Sequence, residues 1–393
     1  MKNIKKEIRK LKKAGLYRKV RTVSTPQGPY VKLNGKRVLL LCSNDYLNLA
    51  NHPEVKEAAI AAINKYGFGS GASRLISGTM PPHVELEKRI AAFKGTEAAL
   101  LFNSGYAVNT GVIQAISERG DIIYSDRLNH ASIVDGCIVS RAEVRRYRHQ
   151  DMEALERFLI NDTEEIRHRG RRLIVTDGVF SMDGDVAQLY DIVKLARDYD
   201  AMVMVDDAHG TGVLGLEGRG TVEYLNVDSD QIDIHMGTLG KALGASGAYI
   251  AGSKEMIDYL TNRARSFIYT TALPPSTAAA ALAALNIVGR EPERREAVMK
   301  NAAFLRRELQ LLGFETLQSM TQIIPVLTGE PEPAVQMMED LLKEGIYVQA
   351  IRPPSVMEGA SRLRLTVTAG HSRDDLEIAL HALGRAGKKA GII

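Results

Sequence analysis

The stretch AMVMVDDAHG, Ala201–Gly210, decides the fold class. Its first half is apolar at successive positions, which is typical of a β-strand buried on both faces in a parallel sheet. Asp206 and Asp207 end this strand. Because side chains alternate along a strand, we expect the two carboxylates to face opposite ways. His209 follows three residues after Asp206, so it can approach the same ligand beyond the strand end.

Similar apolar segments lie on both sides of this strand in the chain. Two helical stretches, DMEALERFLIND (151–162) and LYDIVKLARDYD (189–200), separate some of them. The alternation predicts an α/β fold with a mostly parallel central sheet flanked by helices. Ligands of such sheets bind beyond the carboxyl ends of the strands. The other predicted strands are AALLFNSG (98–105), DIIYSD (121–126), EVRRYR (143–148), RRLIVTDGV (171–179), IDIHMGTLG (232–240) and GAYIAGS (247–253).

The two ends of the chain have other patterns. Residues 1–50 begin with a basic amphipathic helix, and the Asn-Gly in YVKLNGKRVLLL (30–41) predicts a hairpin. The next helix is expected to be capped by Asn51, to carry Pro53 in its first turn and to end at Gly67. Long charged helices and short strands after about residue 285 predict a smaller α+β domain. We therefore predict three domains, at 1–50, 51–285 and 286–393.

Composition excludes several classes of protein. The 393 residues carry 51 basic and 47 acidic side chains, and a net charge of +4 gives no general case for nucleic-acid binding. The basic N-terminal helix, with Ile4, Ile8 and Leu11 at helical spacing, is interpreted as a solvated helix lying on the body; a helper for an anionic substrate is the alternative. We find neither the apolar core of a secretory signal nor a run of about 18 apolar residues.

Cysteine and histidine usage gives no metal or disulfide signal. The two cysteines, Cys42 and Cys137, offer neither a disulfide framework nor metal-ligand spacing, and we expect buried thiols in a reducing cytoplasm. The nine histidines form no HExxH motif and no cluster with cysteine, so no metal site is expected.

A lone lysine, Lys241, lies among small residues in HMGTLGKALGASG (235–247). The segment is not a P-loop, because Ala242 stands where that motif needs a hydroxyl and the spacing is too short. A lysine in a confined site can lose its proton and act as an amine nucleophile, which indicates Schiff-base chemistry. Pyridoxal phosphate needs such a lysine, and it also needs a carboxylate beside its pyridinium nitrogen. Asp206 can supply that carboxylate, although two adjacent acids can also simply close a loop.

Candidate residues for the cofactor's phosphate and ring follow other strands. Ser104, Gly105 and Tyr106 stand between a strand and a helix, where free N–H groups bind anions, although Ser-Gly also makes ordinary turns. His130, in DRLNHASIVDG (126–136), is placed to stack on a pyridine ring, although an isolated histidine is more often an ordinary core residue. Further hydroxyl donors to the phosphate are Thr238, Thr270 and Thr271.

With these residues identified, the chain resembles the α-oxoamine synthases, which are pyridoxal-phosphate enzymes of fold type I. The resemblance extends over essentially the whole chain and implies a homodimer with shared active sites. The motifs that carry it, in the family's order, are CSNDYLNL (42–49), GSGASRLISG (69–78), NHASIVDG (129–136), TDGVFSMDGD (176–185), VDDAHGTGVLG (205–215) and GTLGKALG (237–244); the C-terminal motif IRPPSVMEGASRLRLTVTAGH (351–371) bears on the activity within the family.

The resemblance implies a role for each matching residue near the cofactor. Lys241 binds pyridoxal phosphate covalently, and Asp206 pairs with the pyridinium nitrogen. His130 stacks on the ring. His209 and Ser181 contact the region of its 3-oxygen. The phosphate is held by Gly105, Tyr106 and Thr238, with Thr270 and Thr271 serving the neighbouring subunit.

The resemblance also implies substrate contacts. Arg364 binds the amino-acid carboxylate, for which a planar guanidinium is suited, and Asn44 lies near that carboxylate. Arg18 faces the acyl thioester, with Arg21 as the alternative. Ser355 stands where the family often has threonine, and it keeps the hydroxyl for a substrate contact.

Within the family, the C-terminal motif and IYTTALPP (268–275) favour the activity that condenses L-alanine with a pimeloyl thioester, releasing CO₂, in biotin biosynthesis. The thioester is carried by coenzyme A or by an acyl carrier protein. Glycine C-acetyltransferase, or an α-oxoamine synthase of broad specificity, is the alternative. A cytoplasmic acyltransferase is therefore expected.

Overall fold

The structure is a computed structural model that describes residues 2–13, 16–18, 20–164 and 170–393. By contacts, it has two compact units. The large unit comprises Leu49–Ser181 and Val186–Arg295. The small unit comprises the residues up to Asn48, Met182–Asp185 and Glu296–Ile393. The N-terminal segment thus groups with the C-terminal part of the chain, and the division into three domains stays a prediction.

Strands and helices alternate through the middle of the chain. The strands are β1 (Tyr30–Leu33), β2 (Lys36–Leu40), β3 (Ala98–Phe102), β4 (Ile122–Asp126), β5 (Glu143–Tyr147), β6 (Arg172–Asp177), β7 (Met202–Asp206), β8 (Ile234–Thr238), β9 (Ala248–Gly252), β10 (Ile323–Gly329), β11 (Ile346–Tyr347), β12 (Gln349–Ile351) and β13 (Ser361–Thr366). The α-helices are α1 (Lys2–Lys13), α2 (Pro53–Tyr66), α3 (Pro81–Lys94), α4 (Gly105–Ile116), α5 (Ala131–Ser140), α6 (Met152–Glu164), α7 (Leu189–Asp198), α8 (Thr221–Tyr224), α9 (Lys254–Arg263), α10 (Arg265–Ile268), α11 (Pro275–Arg290), α12 (Glu293–Leu311), α13 (Pro331–Lys343) and α14 (Arg373–Ala390). Arg74–Gly78 form a π-helical turn and Ser229–Gln231 a 3₁₀ turn.

The large unit is built on a seven-stranded sheet of order β3-β9-β8-β7-β6-β4-β5. Strand β9 is antiparallel to both of its neighbours, whereas the pairs β8–β7, β7–β6, β6–β4 and β4–β5 are parallel. All seven strands predicted from apolar runs lie in this sheet. The α/β class with a mostly parallel sheet is confirmed.

Both faces of this sheet are covered, as apolar strands require. On β7, Met204 packs in a core with side chains of α4 and α5, including Val112 and Ile133. Val203 and Val205 point to the other face and pack with side chains of α6 and α7. The period-two alternation along β7 thus decides on which face its terminal carboxylate lies.

The small unit contains two three-stranded sheets. One has the order β1-β2-β11 and the other, antiparallel throughout, β10-β13-β12. The predicted hairpin is confirmed: β1 pairs antiparallel with β2, and Asn34 and Gly35 at its turn have φ values of 49° and 81°. Positive φ at both central residues is what a tight hairpin turn needs, and Asn-Gly supplies it.

Two local predictions at helices are wrong. Helix α2 starts at Pro53, so His52 rather than Asn51 holds the capping position; the predicted end at Gly67 is confirmed. Helix α1 forms as predicted, but Ile4, Ile8 and Leu11 are all exposed rather than packed on the body. Among the described residues, the structure has no helix long and apolar enough to cross a membrane.

Candidate active site

A cavity of about 180 Å³ lies at the carboxyl ends of the central strands of the large unit. Eight predicted cofactor residues line it together: Gly105, Tyr106, His130, Ser181, Asp206, His209, Thr238 and Lys241. A larger cavity of about 500 Å³ lies in the small unit between α12 and α14, and its lining contains none of the predicted residues. We assign the chemistry to the smaller cavity, because a lysine, two histidines and two aspartates converge there.

Asp206 ends β7 with its side chain almost fully buried. Its Oδ2 accepts a hydrogen bond of 2.7 Å from Asn109 Nδ2, and its Oδ1 accepts one of 3.0 Å from Ala208 N. Asp207 faces the other way, where its Oδ2 lies 3.1 Å from Lys94 Nζ. The two adjacent acids therefore have separate surroundings, as strand alternation predicts.

Asp177 is a second buried carboxyl in this cavity. It ends β6 directly beside Asp206, its register partner on β7. Burial, reinforced by the neighbouring charge of Asp206, raises the pKa of Asp177 well above its ordinary value. Asp177 therefore keeps its proton at a pH where an exposed aspartate has lost it. The sequence analysis missed this residue, although RRLIVTDGV shows the same pattern of an apolar strand that ends in an acid.

His130 precedes α5 and is held from two sides. Its backbone N–H donates to Asp177 Oδ2 at 3.1 Å, and its Nδ1 lies 2.7 Å from Ser132 Oγ. Burial lowers the pKa of His130, and the positive charge of Lys241 lowers it further, against the opposing effect of Asp206. A neutral imidazole with fixed orientation results, which suits stacking on a flat ring.

Lys241 lies in the turn that follows β8. Backbone bonds of 2.9 Å from Gly244 N to Lys241 O and from Ala245 N to Leu239 O fix the path of this turn. Gly244 has φ 59°, and a Cβ there would come within 2.4 Å of Ala50 N. Only glycine suits that position. The glycines beside the lysine thus shape a turn that presents one amine to the cavity.

The beginning of α4 faces Thr238 across the cavity. Ser104 Oγ caps the helix by accepting from Ala107 N at 3.1 Å. A Cβ at Gly105 would lie 2.9 Å from Thr238 Cγ2, so a larger residue would close the space before the helix. The first N–H groups of a helix have no intrahelical acceptor and bind anions such as phosphate.

Together these groups match the needs of pyridoxal phosphate. The α4 N-terminus and Thr238 suit a phosphate, Asp206 suits a pyridinium nitrogen, and Lys241 supplies an amine. Among the described residues that line the cavity there is no cysteine, and no three potential metal ligands of this lining lie close enough together to hold an ion. The residues present in this cavity fit the cofactor.

Two further cavity residues, Asn109 and Ser132, were also missed. Asn109 lies four residues after Gly105 on α4, and this spacing places both on one face of the helix. Ser132 lies two residues after His130 in the first turn of α5. Helical spacing from a residue already singled out was the available signal for both.

Other predicted site residues lie elsewhere. Thr270 and Thr271 are not among the described residues that line the cavity; Asn103 Nδ2 donates to Thr271 O at 2.8 Å and reaches Thr270 Oγ1 at 3.5 Å. The predicted substrate residues belong to the small unit. Within it, their side chains form two pairs.

The first pair joins Arg18 Nη2 to Ser355 Oγ at 3.3 Å, and the second joins Arg364 Nη1 to Asn44 Oδ1 at 3.4 Å. The guanidinium of Arg21 lies 5.5 Å from the centre of the Tyr347 ring. The geometry thus associates Arg18, and not Arg21, with the predicted substrate residue Ser355.

The sequence has close relatives over its whole length. A protein named 8-amino-7-oxononanoate synthase from Geobacter sulfurreducens is 57% identical over 390 residues, which cover 98% of each chain. One of the same name from Thermoanaerobacter pseudethanolicus is 48% identical over 391 residues, covering 99% of this chain and 98% of that protein.

Solved structures show the same fold. Serine palmitoyltransferase from S. paucimobilis with a bound PLP–myriocin aldimine superposes with a TM-score of 0.93 at 32% identity, over 100% of this chain and 98% of that one. The 8-amino-7-oxononanoate synthase of Francisella tularensis gives a TM-score of 0.77 at 29% identity, over 90% of this chain and 98% of that one. The family model "Aminotransferase class I and II" matches residues 36–383. The chain therefore belongs to the class I and II aminotransferase family and, within it, groups with the 8-amino-7-oxononanoate synthases.

Proposed function

We propose that this protein condenses L-alanine with a pimeloyl thioester in biotin biosynthesis. The product would be 8-amino-7-oxononanoate, the compound for which its relatives are named. The single observation that carries the proposal is the convergence of Lys241, Asp206 and His130 in one cavity at the strand ends. The enzyme is a pyridoxal-phosphate-dependent acyltransferase. Its site of action is the cytoplasm.

In the net reaction, a carbon–carbon bond forms between the α-carbon of alanine and the thioester carbonyl carbon. The carbon–sulfur bond breaks, and the thiol leaves with a proton. The carboxylate of alanine leaves as CO₂, and a proton replaces it on the α-carbon. Pyridoxal phosphate, when bound, supplies an electron sink that makes the α-carbon of the amino acid acidic.

The chain's own residues handle the protons and the orientation. Lys241 Nζ would hold the cofactor, and its amine, when free, would take the α-proton of the amino acid. Asp206, held in place by two N–H donors, would face the pyridinium nitrogen and keep a proton on it. The neutral ring of His130 stacks on the cofactor and orients it. His209 and Ser181 hydrogen-bond the cofactor's ring oxygen.

Phosphate binding falls to the N–H groups of Gly105 and Tyr106 and to the hydroxyl of Thr238. The space that glycine leaves at position 105 supports this assignment. Thr270 and Thr271 serve the cofactor phosphate of a second subunit in a homodimer. In support of this, their hydroxyls are not among the described groups that line this chain's own cavity.

Substrate binding falls to residues of the small unit. Arg364 binds the carboxylate of alanine, and Asn44, 3.4 Å away, orients its guanidinium. Arg18 and Ser355 contact the acyl thioester. The acyl donor is pimeloyl-CoA or a pimeloyl carrier protein.

The test is a turnover assay that crosses L-alanine and glycine with pimeloyl-CoA, a pimeloyl carrier protein and acetyl-CoA. We expect CO₂ release and an 8-amino-7-oxononanoate mass with alanine and a pimeloyl donor. Preference for glycine with acetyl-CoA would instead identify a glycine C-acetyltransferase. The Lys241→Ala variant should lose turnover together with the borohydride-reducible visible band of the cofactor. Full activity in that variant would rule out the scheme.

A further inference from the structure

A continuous chain of hydrogen bonds runs through the lining of the cavity from Asp206 to His130. Asn109 Nδ2 lies 2.7 Å from Asp206 Oδ2 and 2.8 Å from Ser132 Oγ. Ser132 Oγ in turn lies 2.7 Å from His130 Nδ1. Asn109 and Ser132 are each 1% exposed, so water does not compete for these bonds.

The direction of each bond follows from the carboxylate. Asp206 can only accept, so one N–H of Asn109 points to it, and the remaining N–H points to Ser132 Oγ. With the amide turned round, Asn109 Oδ1 would face the carboxylate, acceptor against acceptor. In the orientation present, that Oδ1 is buried without a hydrogen-bond partner among the described residues. The hydrogen bond to Asp206 thus orients the amide of Asn109, although Asn109 Oδ1 remains without a hydrogen bond among the described residues.

The same reasoning fixes the proton on the histidine ring. Because Ser132 Oγ accepts from Asn109, its own hydrogen is free to point to His130 Nδ1. The backbone N–H of Ser132 also donates to this Nδ1, at 3.2 Å. A ring nitrogen that accepts two hydrogens carries none itself, so the single proton of a neutral imidazole lies on Nε2. The lowered pKa of His130, caused first by burial, agrees with a neutral ring.

We propose that Asn109 and Ser132 are positioning residues that hold His130 as its Nε2–H tautomer and tie the ring's orientation to the carboxylate of Asp206. His130 then presents a hydrogen-bond donor at Nε2 and cannot act there as a base. The group that would contact the ring nitrogen and the group that would stack on the ring are then positioned by one relay rather than independently. This consequence for catalysis rests on the proposed function, whereas the tautomer itself does not.

The test reads the tautomer directly. The full-length, cofactor-loaded protein is labelled with ¹⁵N-histidine, and two-bond ¹H–¹⁵N correlation spectra report which ring nitrogen carries the proton. The His130 signals are assigned by their loss in His130→Gln. We expect the Nε2–H pattern in the wild type. We expect a populated Nδ1–H form in Ser132→Ala and in Asn109→Leu, with kcat lower by roughly 3- to 10-fold, as for one lost hydrogen bond.

Two further variants separate positioning from general structural damage. Ser140→Ala removes another buried hydroxyl from α5, one that donates to Cys137 O at 2.7 Å, and should leave the His130 spectrum unchanged. Ser132→Thr retains the hydroxyl and should restore the Nε2–H pattern. If Asn109→Leu does not fold, Ser132→Ala carries the test alone.

An Nδ1–H pattern in the wild type would overturn the proposal. So would an undisturbed Nε2–H pattern in a folded Ser132→Ala variant. Failure of the proposed function is distinguishable, since it would show as a wild-type protein with the expected tautomer but without turnover of alanine and a pimeloyl thioester.

Discussion

The surroundings of Asp207, which follows the cavity carboxylate Asp206 in the chain, indicate that it stabilises the fold. This role can be tested by substitution. Its ion pair with Lys94 has both side chains only 2% exposed. Asp207 also accepts from Thr221 N at 3.1 Å and from Thr221 Oγ1 at 2.5 Å. Lys94 Nζ, by contrast, has only neutral groups as further partners among those described here, namely the carbonyl oxygen of Arg219 and the hydroxyl of Tyr249.

Removing one partner of a buried ion pair leaves an uncompensated charge, which costs about 3–5 kcal/mol. For a unit of this size that free energy corresponds to a fall in Tm of roughly 6–20 °C. We expect the fall in Tm caused by Asp207→Asn to lie at the upper end of this range, because the ammonium of Lys94 loses its anion. The fall in Tm caused by Lys94→Met should lie at the lower end, because the donors from Thr221 still stabilise the carboxylate. The fall in Tm of the double variant should be smaller than the sum of the two single falls.

The assay is thermal unfolding of the cofactor-loaded protein, with turnover measured below the transition. The matched control is Lys254→Met, which breaks an exposed ion pair with Asp258 on α9 and should leave Tm essentially unchanged. We expect the folded Lys94→Met variant to keep its cofactor and its turnover. If it unfolds no more readily than the control, or if it loses the cofactor while remaining folded, the assignment of Asp207 to structure alone is wrong.

Two pH-dependent predictions follow from other buried groups. Burial raises the pKa of Asp177, so its ionisation opposes folding as pH rises above the unfolded value of 3.8. Asp177→Asn should therefore raise Tm at pH 8 but hardly at pH 4, and an equal shift at both would contradict this. Burial and nearby Lys94 lower the pKa of His235 to about 4 from an ordinary value of 6.5. The folded state must therefore lose about 3 kcal/mol of stability as the pH falls from 6.5 to 4. His235→Gln should flatten that decline in denaturant titrations across this pH range.

Much of the large unit was predictable because most strands of its sheet are buried on both faces. Such strands have no polar side of their own, so apolar runs that end abruptly in Asp or Gly mark both the sheet and the edge where ligands bind. Asp206, His209 and Thr238 could be singled out in this way. His130 and Gly105 follow strands at the same edge, and the structure brings all five to one cavity.

The unpredicted features depend on contacts between residues far apart in the chain. Lys94 ends a helix with an ordinary charged sequence, and nothing in that sequence shows that its ammonium meets a carboxylate 113 residues later. The N-terminal 48 residues group with the C-terminal segment because β2 pairs with β11, a contact between short strands without a local signal. Exposure of the apolar side chains of α1 was equally unforeseeable, since an amphipathic pattern does not show whether a partner surface is present.

The contrast between Asp206 and Asp207 shows how two adjacent aspartates at the end of one strand acquire different partners. The residues are adjacent and identical, yet β7 turns one towards an asparagine amide and the other towards an ammonium. A neutral amide satisfies Asp206 without cancelling its charge, so the carboxylate can still stabilise a cation in the cavity. Lys94 neutralises Asp207 within the core, which leaves that carboxylate no charge to offer a ligand. Position relative to the pleat, rather than residue type, therefore decides which carboxylate lines the cavity and which is paired within the core.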